Sequence, residues 1–332
     1  MLPDDALLEI FDHYIVDSAE PDPIGFLEGI NAWHTLVHVC QRWRNVVFGS
    51  PRRLNLRLFC TASTPVRKML DVWPDLPIVI RQCNLPPGRM DNVFAALKHN
   101  DRVCEIGFQL GYYGKSELDE LFAAMEGRFP ALTDFRLDAD QITTPDVPNS
   151  FLGGSASHLR SLSLNGTPFT GLPRLLLSAT NLVSLTYTNI PPFGYISPET
   201  MATSLSAVTS LEYFDLGFPA YDQSHSYQKS RGSIPPIRTV FPALKVFRFK
   251  LASEYLEDFV AMIDAPLLCY MRVYFICQPV YVIPHLSQFI SRTTKLKVAQ
   301  TLSFPPDPIT LPLPTQLSGQ TNDRYYALEF LP

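Results

Sequence analysis

The sequence predicts an α/β protein, a small N-terminal helical module followed by an irregular solenoid whose short strands form a parallel sheet. Three observations predict it. Apolar residues recur at helical spacing over the first fifty positions. From residue 103 onward a block of the form L-x-x-φ-x-φ, with φ apolar, keeps returning. Proline, 30 of 332 residues and so about twice its usual share of ~5%, falls mainly between those blocks, at Pro145, Pro148, Pro191, Pro192, Pro219, Pro235, Pro236, Pro305 and Pro306. Strands joined by irregular turns produce that distribution.

The first helix is expected over Pro3 to Ile15. Pro3 suits a first turn, Asp4 and Asp5 favour a helix N-terminus, and Leu7, Leu8, Ile10, Phe11, Tyr14 and Ile15 come next at helical spacing. The prolines of Asp17-Ser18-Ala19-Glu20-Pro21-Asp22-Pro23 end it in a loop. A second helix is expected from Ala32 to Phe48, where Trp33, Leu36, Cys40, Trp43 and Val47 make one stripe, with Val37, Val39 and Val46 off it. A helix apolar on more than one side must be covered on more than one side, either by a partner protein or by later parts of the same chain.

Two separated stretches carry a more specific signal. Leu2-Pro3-Asp4-Asp5-Ala6-Leu7-Leu8-Glu9-Ile10-Phe11, followed by Leu36-Val37-His38-Val39-Cys40-Gln41-Arg42-Trp43-Arg44, resembles the F-box, whose motif runs LPxExLxxIF and then VCxxWR. The resemblance covers residues 1–50. It implies a helical module that docks on the Skp-type linker subunit of a cullin-based SCF ubiquitin ligase, while the rest of the chain captures a protein substrate. Carried over by position, the docking surface would include Leu2, Pro3, Ile10, Leu36, Val39, Cys40 and Trp43. The connector from Val16 to Ala32 is longer than the family's short one. Combined with the C-terminal repeat region, it looks like the expanded F-box families of mushroom-forming (basidiomycete) fungi.

Residues 51–102 read as a linking segment that leads into the solenoid, 103–304 as the array, and 305–332 as a Pro-rich tail with a candidate terminal strand at Tyr325 to Leu331. The clearest blocks are Leu132 to Leu137, Leu159 to Leu164, Leu182 to Tyr187, Leu211 to Leu216, Leu244 to Phe249 and Leu268 to Val273; weaker copies begin at Val103 and Leu296. These eight starts are on average about 27.6 residues apart, within the period of leucine-rich repeats. The Asn column of that repeat is missing: Asp140, Thr167, Ile190, Pro219, Ala252 and Ile276 stand there, hence an irregular array. Ser116 to Glu126 reads as a helical return, Thr143 to Gly154 and Pro219 to Pro236 as irregular ones.

Strand alternation then sets which side chains face out. The outward columns pass from Ser161/Ser163/Asn165 and Ser184/Thr186/Thr188 to Tyr213/Asp215/Gly217, Val246/Arg248/Lys250 and Tyr270/Arg272/Tyr274. Tyr and Arg are enriched at interface hot spots, so Tyr213, Arg248, Tyr270, Arg272 and Tyr274 form the candidate substrate face, with a merely solvated strand face as the other reading.

A formal charge of -5 gives no broad positive field, which argues against nucleic acid. No run of about 20 apolar residues argues for a membrane span, and the N-terminus lacks the basic region of a signal peptide, so a cytoplasmic or nuclear protein is expected. Cys40, Cys60, Cys83, Cys104, Cys269 and Cys277 include no CxxC pair and read as buried free thiols. Gly111 to Ser116 fails the phosphate-loop spacing because Gln109 stands where glycine is needed. His34 and His38 lack a third ligand for a metal. No cofactor, metal or catalytic motif is expected. The sequence thus points to a non-enzymatic substrate adaptor of an SCF-type ligase, the alternative being a scaffold whose F-box-like helices pack on its own repeats.

Overall fold

The first fifty residues form three helices. In the computed structural model, which describes residues 2–17, 32–61, 66–82, 90–109, 115–139, 146–218, 238–251, 253–276, 283–303 and 325–331, α1 spans Asp4–Asp17, α2 Ala32–Val37 and α3 Gln41–Gly49. The expected single helix over Ala32 to Phe48 is therefore two. The chain breaks at Cys40, which is extended at φ -159 and ψ 167. The freed carbonyl of Val37 accepts from Arg44 Nε at 3.1 Å, which satisfies a helix end that would otherwise lack a partner. Val37 and Val39, just before the break, are β-branched and favour extended backbone over helix.

The chain divides into two compact units, Met1–Asp138 and Ala139–Pro332. The first joins the helices to four parallel strands in the order β1 (Leu58–Cys60), β2 (Ile78–Gln82), β3 (Val103–Gln109) and β4 (Asp134–Asp138). Helices α4 (Val66–Val72), α5 (Asp91–Leu97) and α6 (Lys115–Ala124) lie in the returns. Residues 51–102, expected as a linking segment, thus already hold two strand-and-helix steps. Here Glu105 on β3 accepts from Arg81 Nε at 3.1 Å and from Arg57 Nη1 at 3.3 Å, tying β2 and the residue just before β1 to β3.

The second unit carries β5 (Ser161–Asn165), α7 (Leu172–Ser178), β6 (Ser184–Thr188), α8 (Pro198–Leu205), β7 (Tyr213–Gly217), β8 (Thr239–Val240), β9 (Val246–Leu251), α9 (Ser253–Ala261), β10 (Ile263–Asp264), β11 (Tyr270–Ile276), α10 (Pro284–Arg292), β12 (Lys297–Ser303) and β13 (Tyr325–Leu331), with 3-10 turns at Phe151–Gly154 and Pro192–Gly194. Strands β5, β6, β7, β9 and β11 are parallel neighbours in that order. Each strand of the recurring L-x-x-φ-x-φ blocks begins at or within two residues of its block, and the leading Leu159, Leu182, Leu211, Leu244 and Leu268 are all buried.

The parallel run stops at β11. Its next neighbour is the antiparallel β13, and β12, the block beginning at Leu296, pairs among the described residues only with β13. Short β8 and β10 form a separate parallel pair.

Between the outward columns, Leu162, Leu164, Leu185, Tyr187, Phe214, Leu216, Phe247, Phe249, Met271, Val273 and Phe275 are buried. Phe214 and Phe247 stack at 5.5 Å between centroids, each 5.9 Å from Phe259 on α9. Each such side chain contributes about 1.5–3 kcal/mol on burial. Three polar devices fix the returns. Tyr187 Oη donates to Gly194 O at 3.0 Å and accepts from Phe169 N at 3.3 Å. Buried Glu257 on α9 accepts from the backbone N–H of His285 and of Leu286, both at 2.8 Å, and so caps α10 from outside the helix. Arg292 donates to Asp264 at 2.7 Å and to the carbonyls of Val260 and Ile263. In the missing Asn column, Thr167 and Ile190 are buried; Asp140, Pro219 and Ala252 lie outside the described residues.

Candidate functional site

In the N-terminal unit, α1 turns Leu7, Leu8 and Phe11 inward, where Phe11 packs on Trp43 at 4.8 Å between centroids. Leu2 just before this helix and Ile10 and Tyr14 on it are exposed at 54%, 49% and 40%, and the break between α2 and α3 leaves Val39 exposed at 56%. Of the seven residues assigned to linker docking, Leu2, Pro3, Ile10, Val39 and Cys40 are exposed and Trp43 is half-buried. Leu36 is 5% exposed and belongs to the interior of the unit. Cys40, expected buried, is exposed because the helix break turns it out of the stripe. Tyr14 is the exposed residue that sequence reasoning left out of this set.

Later residues of the unit cover the other apolar side. Trp33 donates from Nε1 to Arg57 O at 3.1 Å and meets Trp73 edge-on at 5.4 Å, while His34 stacks on Trp73 at 5.2 Å. Burial, with His38 adding to it, holds the His34 pKa down at about 4. Four arginines of this unit are held by internal contacts: Arg42 on Asp4 at 2.6 Å, Arg53 on Asp12 at 3.1 Å, Arg57 on Glu105 and Arg44 on the Val37 carbonyl.

In the second unit, the aromatic and basic residues picked out by strand alternation come together. Tyr213 stands on β7, Arg248 on β9, and Tyr270, Arg272 and Tyr274 on β11. Register sets Asp215 against Arg248 and Arg248 against Arg272; in the next row Gly217 faces Lys250 and Lys250 faces Tyr274. The Arg248 guanidinium lies 5.4 Å from the Tyr213 ring and 5.9 Å from the Tyr270 ring, and Arg272 lies 4.8 Å from the Tyr274 ring. These are cation–π distances.

A cavity of about 260 Å³ opens on this face, lined by Asp215, Gly217, Arg248, Lys250, Arg272 and Tyr274, with Thr188 and Asn189 at one side. Tyr213 Oη donates to Asp215 Oδ2 at 3.2 Å. Burial, reinforced by the Asp215 charge and opposed by Arg248, pushes the Tyr213 phenol up to about 12. Burial also raises the Asp215 carboxyl, against the pull of Tyr213, Arg248 and Lys250. Asp215 and Lys250 were legible as outward positions, but only the register shows that they join the arginines.

Among the described residues no group of three His, Cys, Asp or Glu side chains could hold a metal. No described helix is long and apolar enough to cross a membrane. Cys40, Cys60, Cys104 and Cys269 are free thiols, and burial pushes Cys60 up to about 12. Gly111 to Gly114, Cys83 and Cys277 lie outside the described residues. No protein-family model matches the chain, and no match is found among the curated proteins.

Proposed function

We propose that this chain is a non-enzymatic adaptor: an F-box-like module docks on a Skp-type linker of an SCF-type ligase, and a leucine-rich-repeat-like array presents a protein substrate. Such a subunit works by proximity, raising the effective concentration of substrate beside the ligase's catalytic machinery. One observation carries the reading. Leu2, Ile10 and Val39, which stand at positions of the F-box motif, are exposed apolar side chains on a short helical module whose Leu7, Leu8, Phe11, Val37 and Val47 are buried. Uncovered apolar side chains grouped on one small module mark a protein-contact surface.

Co-purification with a Skp-type linker tests it. Ile10→Asp with Val39→Asp is expected to abolish capture while leaving the melting temperature of the chain unchanged, because both side chains are solvent-facing. A wild-type chain that is folded and never captures the linker refutes the adaptor. The packing of Trp33 and His34 on Trp73 favours a second reading, a scaffold whose helices are partly covered by its own later residues. That reading gains if capture fails while Trp73→Ala unfolds the N-terminal unit.

A further inference from the structure

We propose that the cavity bounded by Asp215, Gly217, Arg248, Lys250, Arg272 and Tyr274 is an anion site that takes a carboxylate of a partner polypeptide. It deepens, and rests on, the reading of this strand face as the substrate-contact surface. Three cationic side chains and one carboxylate line the cavity. Arg248 and Arg272 stand directly opposite each other on neighbouring strands, an arrangement that like charges disfavour. The Nε of each is buried without a hydrogen-bond acceptor, while the register sets Asp215 opposite Arg248 and Glu329 opposite Arg272. A buried N–H without an acceptor is costly. An anion seated between the two guanidinium groups relieves their mutual repulsion.

The tyrosine rings beside Arg248 and Arg272 restrain the guanidinium groups before any ligand arrives, so little freedom is lost on binding. Planar guanidinium groups match a carboxylate. Asp215 selects for a singly charged planar group, since a doubly charged phosphate would sit against its carboxylate. The space suits a carboxylate and a few carbons rather than a folded surface. Glycine at 217 keeps it open: a Cβ there would stand 3.5 Å from Lys250 Cβ and Thr188 Cγ2, and any longer side chain would fill the cavity. Asp or Glu side chains and a chain-terminal carboxylate share this chemistry.

Fluorescence anisotropy with the full chain and three labelled peptides of one neutral parent sequence tests the site. The first carries two glutamates and an amidated end, the second no glutamate and a free terminal carboxylate, the third a phosphoserine and an amidated end. One or both carboxylate peptides are expected to bind, more weakly as salt is raised, and to lose about tenfold or more in affinity in Arg272→Met and in Gly217→Leu; which peptide binds identifies the source of the carboxylate. Gly217→Leu keeps every charge, so it carries the test if Arg272→Met does not fold. Absence of binding by both carboxylate peptides, unchanged affinity in the two variants, or tighter binding of the phosphoserine peptide overturns the proposal. Linker capture, which depends on residues 2–43, is read on the same preparation, so a chain that captures the linker and ignores the peptides refutes this site and leaves the adaptor standing.

Discussion

Replacing Glu257 with Leu is expected to destabilise the second unit by about 3–4 kcal/mol. The carboxylate is 7% exposed and takes two backbone N–H groups of α10, each at 2.8 Å. Hydrogen bonds to a charged group are worth about 1.5–3 kcal/mol each, and negative charge at a helix N-terminus adds about 0.3–1 kcal/mol. Leucine restores part of this through apolar burial, which sets the net value below the simple total. Glu257→Gln keeps one acceptor oxygen and loses the charge, so about 1–2 kcal/mol is expected. Urea unfolding followed by circular dichroism gives the magnitude. Hydrogen exchange at the His285 and Leu286 amides gives the location, with protection lost there before elsewhere in the unit. A Leu variant within about 0.5 kcal/mol of wild type, or unchanged protection of those two amides, refutes the assignment of Glu257 as an external cap.

Tyr187→Phe removes a hydroxyl that serves Gly194 O and Phe169 N at once; about 1–3 kcal/mol of stability is expected to be lost, read by the same unfolding curves. For His34 the folded pKa of about 4 lies below the ordinary value of 6.5, so the unfolded chain binds the extra proton between those values. Its contribution to stability is complete above about pH 6.5 and is lost as pH falls toward about 4; proton-resonance titration of the His34 ring should give a midpoint near 4, and one at or above the ordinary value excludes the buried placement. Iodoacetamide at mildly alkaline pH followed by peptide mapping should modify exposed Cys40 well before Cys60, whose thiol burial pushes up to about 12; equal rates contradict that burial.

The strands were legible because a half-buried strand writes its alternation directly into the sequence. Phe214 and Leu216 between Tyr213, Asp215 and Gly217 is such a pattern, and the structure buries the first pair and leaves Tyr213 and Asp215 part-exposed. Direction is not written there. Nothing in Tyr325 to Leu331 says that it pairs antiparallel with β11 and stands between β11 and β12. The helix break at Cys40 was equally hidden, because the three-and-four stepping of apolar residues reads the same across it. The cavity is only half legible: alternation assigns each residue to the outward face, while the register that sets Asp215 and Arg248 side by side comes from how far neighbouring returns carry the chain.

The placement of β13 constrains the order in which the sheet can be assembled during synthesis. Strands β5, β6, β7, β9 and β11 emerge in the order in which they pair, so each can dock on a neighbour already made. Strand β12 breaks that sequence: it leaves the ribosome before β13, yet β13 is its sole partner among the described strands. Until Tyr325–Leu331 arrives, the backbone of β12 has no ladder to join and β11 presents an open edge, the kind of surface on which strands of other molecules pair. Aggregation of nascent or shortened chains should therefore start at Tyr270–Ile276.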